Sequence, residues 1–262
     1  MYKRYIQNMG SVRMTGQRHQ STYSYRAKLG LIVPPTNTVN EGEWMRLMPA
    51  GVTFHTHRMP LHPQASTPEG RAELLHDLDA VVGLLKQADV DVVAYACTAG
   101  SMMNPVNGLP DEISARNGVA AVTTSAAIVA ALHGLGARNL SVATPYHDAL
   151  NAHETHFLEE NGFQVLKLVG LGIGAGGPSE YPRIARTPLE KVEDTVRAAF
   201  VPGSDAILIT CTDFPTLPLI ARLEAEFGVP VVTSNQATLW ASLRRAGLDD
   251  RLPGCGRLFL HH

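Results

Sequence analysis

Two of the three cysteines stand where chemistry is open to them. Cys97 follows the apolar run Val90–Ala96, Cys211 follows Ala206–Thr210, and each precedes a threonine, Thr98 or Thr212. A thiol ionises nearer neutrality than a lysine or a tyrosine, and nearby N–H groups or helix starts favour its thiolate. Two thiols on opposite faces of a small carboxylate can divide one reaction. One thiolate attacks, or takes a proton from, the carbon beside the carboxylate, and the other thiol delivers a proton from the far side. Backbone N–H groups after each cysteine, at a helix start, can hold a carboxylate or enolate. A single cysteine at a strand end more often fills space, but two at equivalent ends favour catalysis. Cys255, in Pro253-Gly254-Cys255-Gly256, has no such counterpart and reads as structural.

The elements that carry these thiols alternate. Strands are expected at Lys28–Val33, Val52–His57, Val90–Ala96, Leu140–Thr144, Gln164–Gly170, Ala206–Thr210 and Val229–Thr233. Helical periodicity covers Thr67–Gln87, with Leu74, Leu78, Val81, Leu84 and Leu85 as its apolar positions and Thr67-Pro68 as its start. Further helices are expected at Asp148–Glu160, closed by Asn161-Gly162, and at Leu189–Phe200, Leu217–Phe227 and Thr238–Ala246. The alternation predicts an α/β fold with parallel sheets and right-handed crossovers.

The halves echo one another. Val33-Pro34 returns as Thr144-Pro145 after 111 positions, and the run ending Cys97-Thr98 returns as that ending Cys211-Thr212 after 114. Gly118–Thr124 returns as Gly228–Ser234 after 110. Three landmarks in one order at nearly one offset indicate a duplication: two pseudo-symmetric α/β halves packed face to face. Ligands bind at the carboxyl edge of such sheets, so Cys97 and Cys211 are expected to face one another across a cleft. The expected division is an N-terminal extension over 1–26, expected to be flexible from its polar, mixed composition, a first half over 27–120 and a second over 121–234, with 235–262 packing back on the first.

Composition narrows the partners. The 262 residues carry a formal net charge of −2, with 45% hydrophobic and 18% charged, which offers no basic surplus for nucleic acid or an anionic membrane. No apolar run reaches the length of a membrane span. Three widely spaced cysteines suggest neither a disulfide framework nor a zinc pair, and reduced thiols in a cytoplasm are expected.

Other candidates are weaker. The run Gly170–Gly177 lacks the Lys-Ser/Thr ending of a phosphate loop and reads as a loop or substrate lid. His55, His57 and His62 cluster with Arg58, but without a carboxylate they read as a polar patch. His153 and His156 read as a solvated helix face. Asp213, two positions after Cys211, either acts on the thiol or caps a helix. Ser101 and Ser125 belong to no hydrolase arrangement.

The segments Leu31–Thr38, Tyr95-Ala96-Cys97-Thr98, Thr210-Cys211-Thr212 and Val231–Ala237, with the closing Gly256-Arg257-Leu258-Phe259, resemble the maleate cis–trans isomerase and arylmalonate decarboxylase branch of the aspartate/glutamate racemase superfamily. The resemblance covers about residues 28–259. It implies two Rossmann-like halves, an active site between them and no cofactor. It also implies that Cys97 is a nucleophile or base and Cys211 an acid or base, since decarboxylases carry glycine at the position of Cys97. Pro34, Asn37 and Tyr146, with Thr98 and Thr212, are the implied substrate-binding residues. An amide and a phenol bind carboxylate without adding a titrating charge. The loop Leu171–Tyr181 lacks the asparagine that maleate isomerases carry there, so the substrate is left open; its glycine N–H groups can substitute, or the substrate has one carboxylate.

Three readings follow: a cofactor-independent isomerase or racemase of a small carboxylate, an arylmalonate-type decarboxylase that uses Cys211 as proton donor, and a non-catalytic small-carboxylate binding protein. The sequence leaves homo-oligomerisation open.

Overall fold

The structure, a computed structural model, describes residues 17–65 and 67–262. Its strands form two four-stranded sheets. In the first, β1 (Ala27–Val33) lies between β2 (Val52–Arg58) and β3 (Val92–Tyr95), and β4 (Ala120–Thr123) completes the order β2-β1-β3-β4. In the second, β5 (Asn139–Tyr146), β6 (Gln164–Ile173), β7 (Ala206–Ile209) and β8 (Val231–Thr233) repeat that order as β6-β5-β7-β8. Every pairing is parallel. The inner strands β3 and β7 are buried on both faces, which is why they read as unbroken apolar runs rather than alternating ones.

The helices are α1 (Asn40–Leu47), α2 (Pro68–Lys86), the single turn α3 (Thr98–Ser101), α4 (Gly108–Asn117), α5 (Thr124–Gly134), α6 (Asp148–Glu160), α7 (Leu189–Ala199), α8 (Ile220–Phe227), α9 (Ser234–Arg245) and α10 (Gly256–His261). Thr67 Oγ1 accepts the Gly70 N–H at 3.1 Å to start α2, whose Leu74, Leu78, Val81 and Leu85 are buried. Leu84 is exposed instead, one step off that stripe. Gly162 adopts φ +88° just past α6, a conformation that glycine takes without steric cost. Helix α9 starts four residues before the expected Thr238, because Thr233 and Gln236 form a capping box. Strand β6 runs past Gly170 to Ile173, held by Tyr146 of β5. No described helix is long and apolar enough to cross a membrane.

The boundaries differ from those expected. The first sheet ends at Thr123, so the division at residue 120 would cut β4. The C-terminal segment separates: α9 packs on α1, α5, β3 and β4, with the Trp44 indole donating to the Asn235 carbonyl at 3.1 Å, whereas α10 packs on β8 and α8 of the second half. Residues 1–16 of the expected flexible extension lie outside the described residues. Residues 17–26 are tied to the fold: His19 meets Asp91 at 2.8 Å and Arg26 pairs with Asp250 at 2.6 Å.

Candidate active site

The carboxyl ends of β3 and β7 meet at the seam between the halves. Three connections bring them there. Thr212 Oγ1 donates to the Ala96 carbonyl and accepts from Asn37 Nδ2, each at 3.1 Å. The Thr98 and Ser234 hydroxyls pair at 2.9 Å. The Glu43 carboxylate of α1 accepts the N–H groups of Thr216 and Leu217 at 2.6 and 2.7 Å and Asn235 Nδ2 at 2.8 Å. Residues adjoining both cysteines therefore belong to one hydrogen-bonded junction.

Cys97 and Cys211 are free and buried, 6% and 9% exposed, so reaction with a substrate requires the seam to admit it. Cys97 Sγ accepts the Gly100 N–H at 3.4 Å. Burial pushes the Cys97 thiol up, opposed by that N–H and by a hydrogen bond from the Tyr95 phenol. Burial pushes the Cys211 thiol up to about 12, opposed by hydrogen bonds from the Tyr146 phenol and the Asp213 N–H, while the charges of Asp213 and Cys97 raise it further. Each thiol thus has a tyrosine partner. Gly100 leaves room for the first pair: a Cβ there would lie 2.5 Å from Tyr95 Oη and 3.0 Å from Cys97 Sγ.

The expected binding residues converge. Asn37 is buried, and its Oδ1 accepts the N–H groups of Val39 and Asn40 at 3.1 and 3.0 Å, fixing the turn after β1. Pro34 begins that turn, its carbonyl accepting the Asn37 N–H at 3.1 Å. Tyr146 is buried at the end of β5 beside Cys211. Thr98 and Thr212 are in place, but their hydroxyls are committed to protein partners, which leaves backbone groups for ligand contact. The glycine-loop N–H groups are engaged too: Glu180 Oε2 accepts those of Gly174 and Gly176 at 2.8 and 3.3 Å. The histidines lie elsewhere. His57 bonds the Arg58 carbonyl at 2.7 Å, His62 sits 3.1 Å from Asp77, and His156 pairs with Glu160 at 3.2 Å on an exposed face. His153 approaches the Met102 carbonyl at 3.1 Å. Cys255 is buried in the core.

Sequence reasoning missed Tyr95, Glu43 and Glu154. Glu154 of α6 is buried; Thr210 Oγ1 donates to it at 3.1 Å, and it borders a void of about 10 Å³ with Thr98 and Ser125. Burial pushes its carboxyl up to about 8. A signal was present: Asn40-x-x-Glu43-x-x-x-Leu47 returns 111 positions later as Asn151-x-x-Glu154-x-x-x-Leu158.

Known proteins are similar to this chain in sequence and fold. The family model described as arylmalonate decarboxylase matches residues 29–259. A maleate isomerase of Nocardia farcinica is 29% identical over 244 residues, covering 88% of this chain and 94% of that protein. Arylmalonate decarboxylase of Bordetella bronchiseptica is 30% identical over 239 residues, covering 88% and 95%. A solved cysteine-to-serine variant of the Nocardia farcinica maleate cis-trans isomerase, holding a covalently bound succinylcysteine intermediate, superposes with a TM-score of 0.80 at 26% identity, covering 90% of this chain and 99% of that one.

Proposed function

The chain belongs to the arylmalonate decarboxylase family, and on that premise we propose that it is a cofactor-independent cis–trans isomerase or racemase of a small carboxylate, working through Cys97 and Cys211. The observation that carries this reading is the pair of thiols at equivalent strand ends of two halves, each beside a tyrosine. Decarboxylation that uses one thiol as proton donor gives no role to the second. The relatives named maleate isomerase, and the succinylcysteine intermediate of one of them, support the isomerase over the racemase.

For a cis-unsaturated diacid the steps balance as follows. The Cys97 thiolate adds to one alkene carbon, and the Cys211 thiol protonates the carbanion that forms on the other, beside its carboxylate. The former double bond, now single, rotates. The Cys211 thiolate removes a proton from the same carbon, the C–S bond breaks, and the trans product leaves with both thiols restored. Covalent addition thereby replaces a forbidden rotation with allowed steps. Asn37 and the N–H groups after each cysteine bind carboxylate, and Tyr146 orients the group nearest Cys211. The enzyme in this reading works in the cytoplasm, where its three thiols stay reduced.

A second reading, a decarboxylase of an activated malonate, draws on the loop Leu171–Tyr181, which lacks the asparagine that maleate isomerases carry there. Proton NMR in D₂O separates the two. Wild type, Cys97→Ser and Cys211→Ser are incubated with maleate, phenylmalonate, aspartate, glutamate and a 5-substituted hydantoin. Fumarate formation or α-proton exchange that needs both thiols is the expected result. Loss of CO₂ that survives Cys97→Ser would replace it with the decarboxylase. Ligand binding without turnover by wild type, and unchanged by either substitution, would make the protein a binder.

A further inference from the structure

Asp213 has no part in the steps above, yet it touches both halves of the site. Its Oδ1 accepts the Thr38 N–H at 2.8 Å, with a further bond from Val39, in the loop that presents Asn37. Its own backbone N–H bonds the Cys211 thiol. Its Oδ2 is buried and without a hydrogen-bond partner among the described residues. The charged groups around it are Cys211, on its own loop, and Arg58 at the end of β2, whose guanidinium is held by the Asn37 carbonyl at 2.6 Å and by Glu41 at 2.7 Å.

The equivalent place in the first half, 114 positions earlier, holds Ala99, so Cys97 has no such neighbour. The groups that tune Cys97 are the Gly100 N–H and the Tyr95 phenol. The backbones differ as well. Cys211 sits at φ +88°, a left-handed conformation costly for a residue with a side chain, whereas Cys97 sits at an ordinary φ of −136°.

We propose that Asp213 is the positioning residue that divides the labour between the thiols: its carboxylate ties the Asn37 loop to the Cys211 loop, and its charge adds to burial in holding Cys211 as the protonated donor while Cys97 supplies the thiolate. This assignment rests on the two-thiol reading of the site. Burial pushes the Asp213 carboxyl up to about 6, with the two N–H bonds and Arg58 opposing, so it is an anion at neutral pH.

The test reads the thiols without substrate, so its failure is separate from failure of the proposed reaction. Full-length wild type, Asp213→Asn and Asp213→Ala are labelled with iodoacetamide at about pH 8.5, and the Cys97 and Cys211 peptides are quantified by mass spectrometry. Well below its pKa a thiol reacts in proportion to its thiolate fraction, so removing a neighbouring anion raises Cys211 labelling on the order of tenfold. Asp213→Asn keeps an oxygen for the Thr38 N–H, and Cys97 labelling in the same digest stays constant. Equal Cys211 labelling in wild type and Asp213→Asn would overturn the assignment. So would a parallel rise at both cysteines, which marks general opening of the seam. A melting temperature near that of wild type confirms that Asp213→Asn is folded, and where Asp213→Ala fails to fold, the asparagine variant alone decides. With a turned-over substrate, kcat falls in Asp213→Asn while KM holds; a change confined to KM would count against a role at Cys211.

Discussion

Replacing Glu154 with glutamine should make the protein less sensitive to pH, with an effect large enough to measure. The Glu154 carboxyl is buried and bonded by the Thr210 hydroxyl, and burial moves it from an ordinary 4.5 to about 8. The folded chain therefore keeps a proton near neutrality that the unfolded chain releases. Stability from this group is fully present below pH 4.5 and is lost as pH rises through about 8. At about 1.4 kcal/mol per tenfold, the whole effect is about 5 kcal/mol, a large share of the ~5–15 kcal/mol that holds a domain folded. Glutamine has the same shape, offers an oxygen to Thr210 and does not titrate. Urea unfolding of wild type and Glu154→Gln at several values between about pH 5 and pH 8 should show the variant gaining on wild type by about 1.4 kcal/mol per pH unit. Two curves that stay parallel would show that Glu154 is not protonated in the fold, and the argument from its burial would fail.

Three further outcomes follow from single contacts. Tyr95→Phe removes the phenol that favours the Cys97 thiolate, so iodoacetamide labelling of Cys97 at fixed pH should fall roughly several-fold; an unchanged rate would remove Tyr95 from the site. Thr233→Ala removes the side-chain acceptor for the Gln236 N–H, which is half of the capping box on α9, and should lower stability by about 1 kcal/mol in urea unfolding. Val33→Thr places a hydroxyl at the counterpart of Thr144, which bonds Asn151; the counterpart of Asn151 is the buried Asn40, whose amide has no partner among the described residues. A buried valine-to-threonine change ordinarily costs ~1–3 kcal/mol; here it should cost little, and a full cost would show that the hydroxyl does not reach Asn40.

Repetition made much of this molecule legible in the sequence. The matching sheet orders follow from landmarks repeated 110 to 114 positions apart, and the two cysteines were marked by that repeat before either had a neighbour. Helix α6 was legible to the residue, from Asp148 to Glu160, because an amphipathic stripe ends in Asn161-Gly162. Helix α1 was not: its buried face holds Asn40 and Glu43 beside Trp44 and Leu47, so polar residues occupy positions that periodicity assigns to a core. Helix α5 escaped for the opposite reason. It is apolar on nearly every side, packed between β4, α3 and α9, and shows no stripe. Tyr95 was hidden in an apolar strand, where a phenol reads as bulk until the chain folds it against Cys97. Asp213 was visible as a residue, but its bond to Thr38 joins positions 175 apart, beyond any local pattern.

Function lies in the places where the two halves stop matching. Asn40 and Asn151 are equivalent, yet Asn151 bonds the Thr144 hydroxyl and the Tyr146 carbonyl at 2.6 and 3.0 Å, while Val33 replaces that threonine and leaves Asn40 unpaired among the described residues. Glu43 and Glu154 are equivalent, yet Glu43 is bonded by two backbone N–H groups and an amide across the seam and Glu154 by one hydroxyl. Glu43 therefore works as a clamp on the loop beyond Cys211; burial pushes its carboxyl up, opposed by the N–H groups of Leu217 and Thr216 and by the Asn235 amide. Glu154 stays inside its own half as a neutral acid beneath Thr210. The thiols follow the same rule: Cys97 faces a phenol and an N–H, and Cys211 faces a phenol, an N–H and an anion. The anion beside Cys211 adds to burial in favouring its protonated form, and the equivalent position in the first half holds Ala99, which carries no charge.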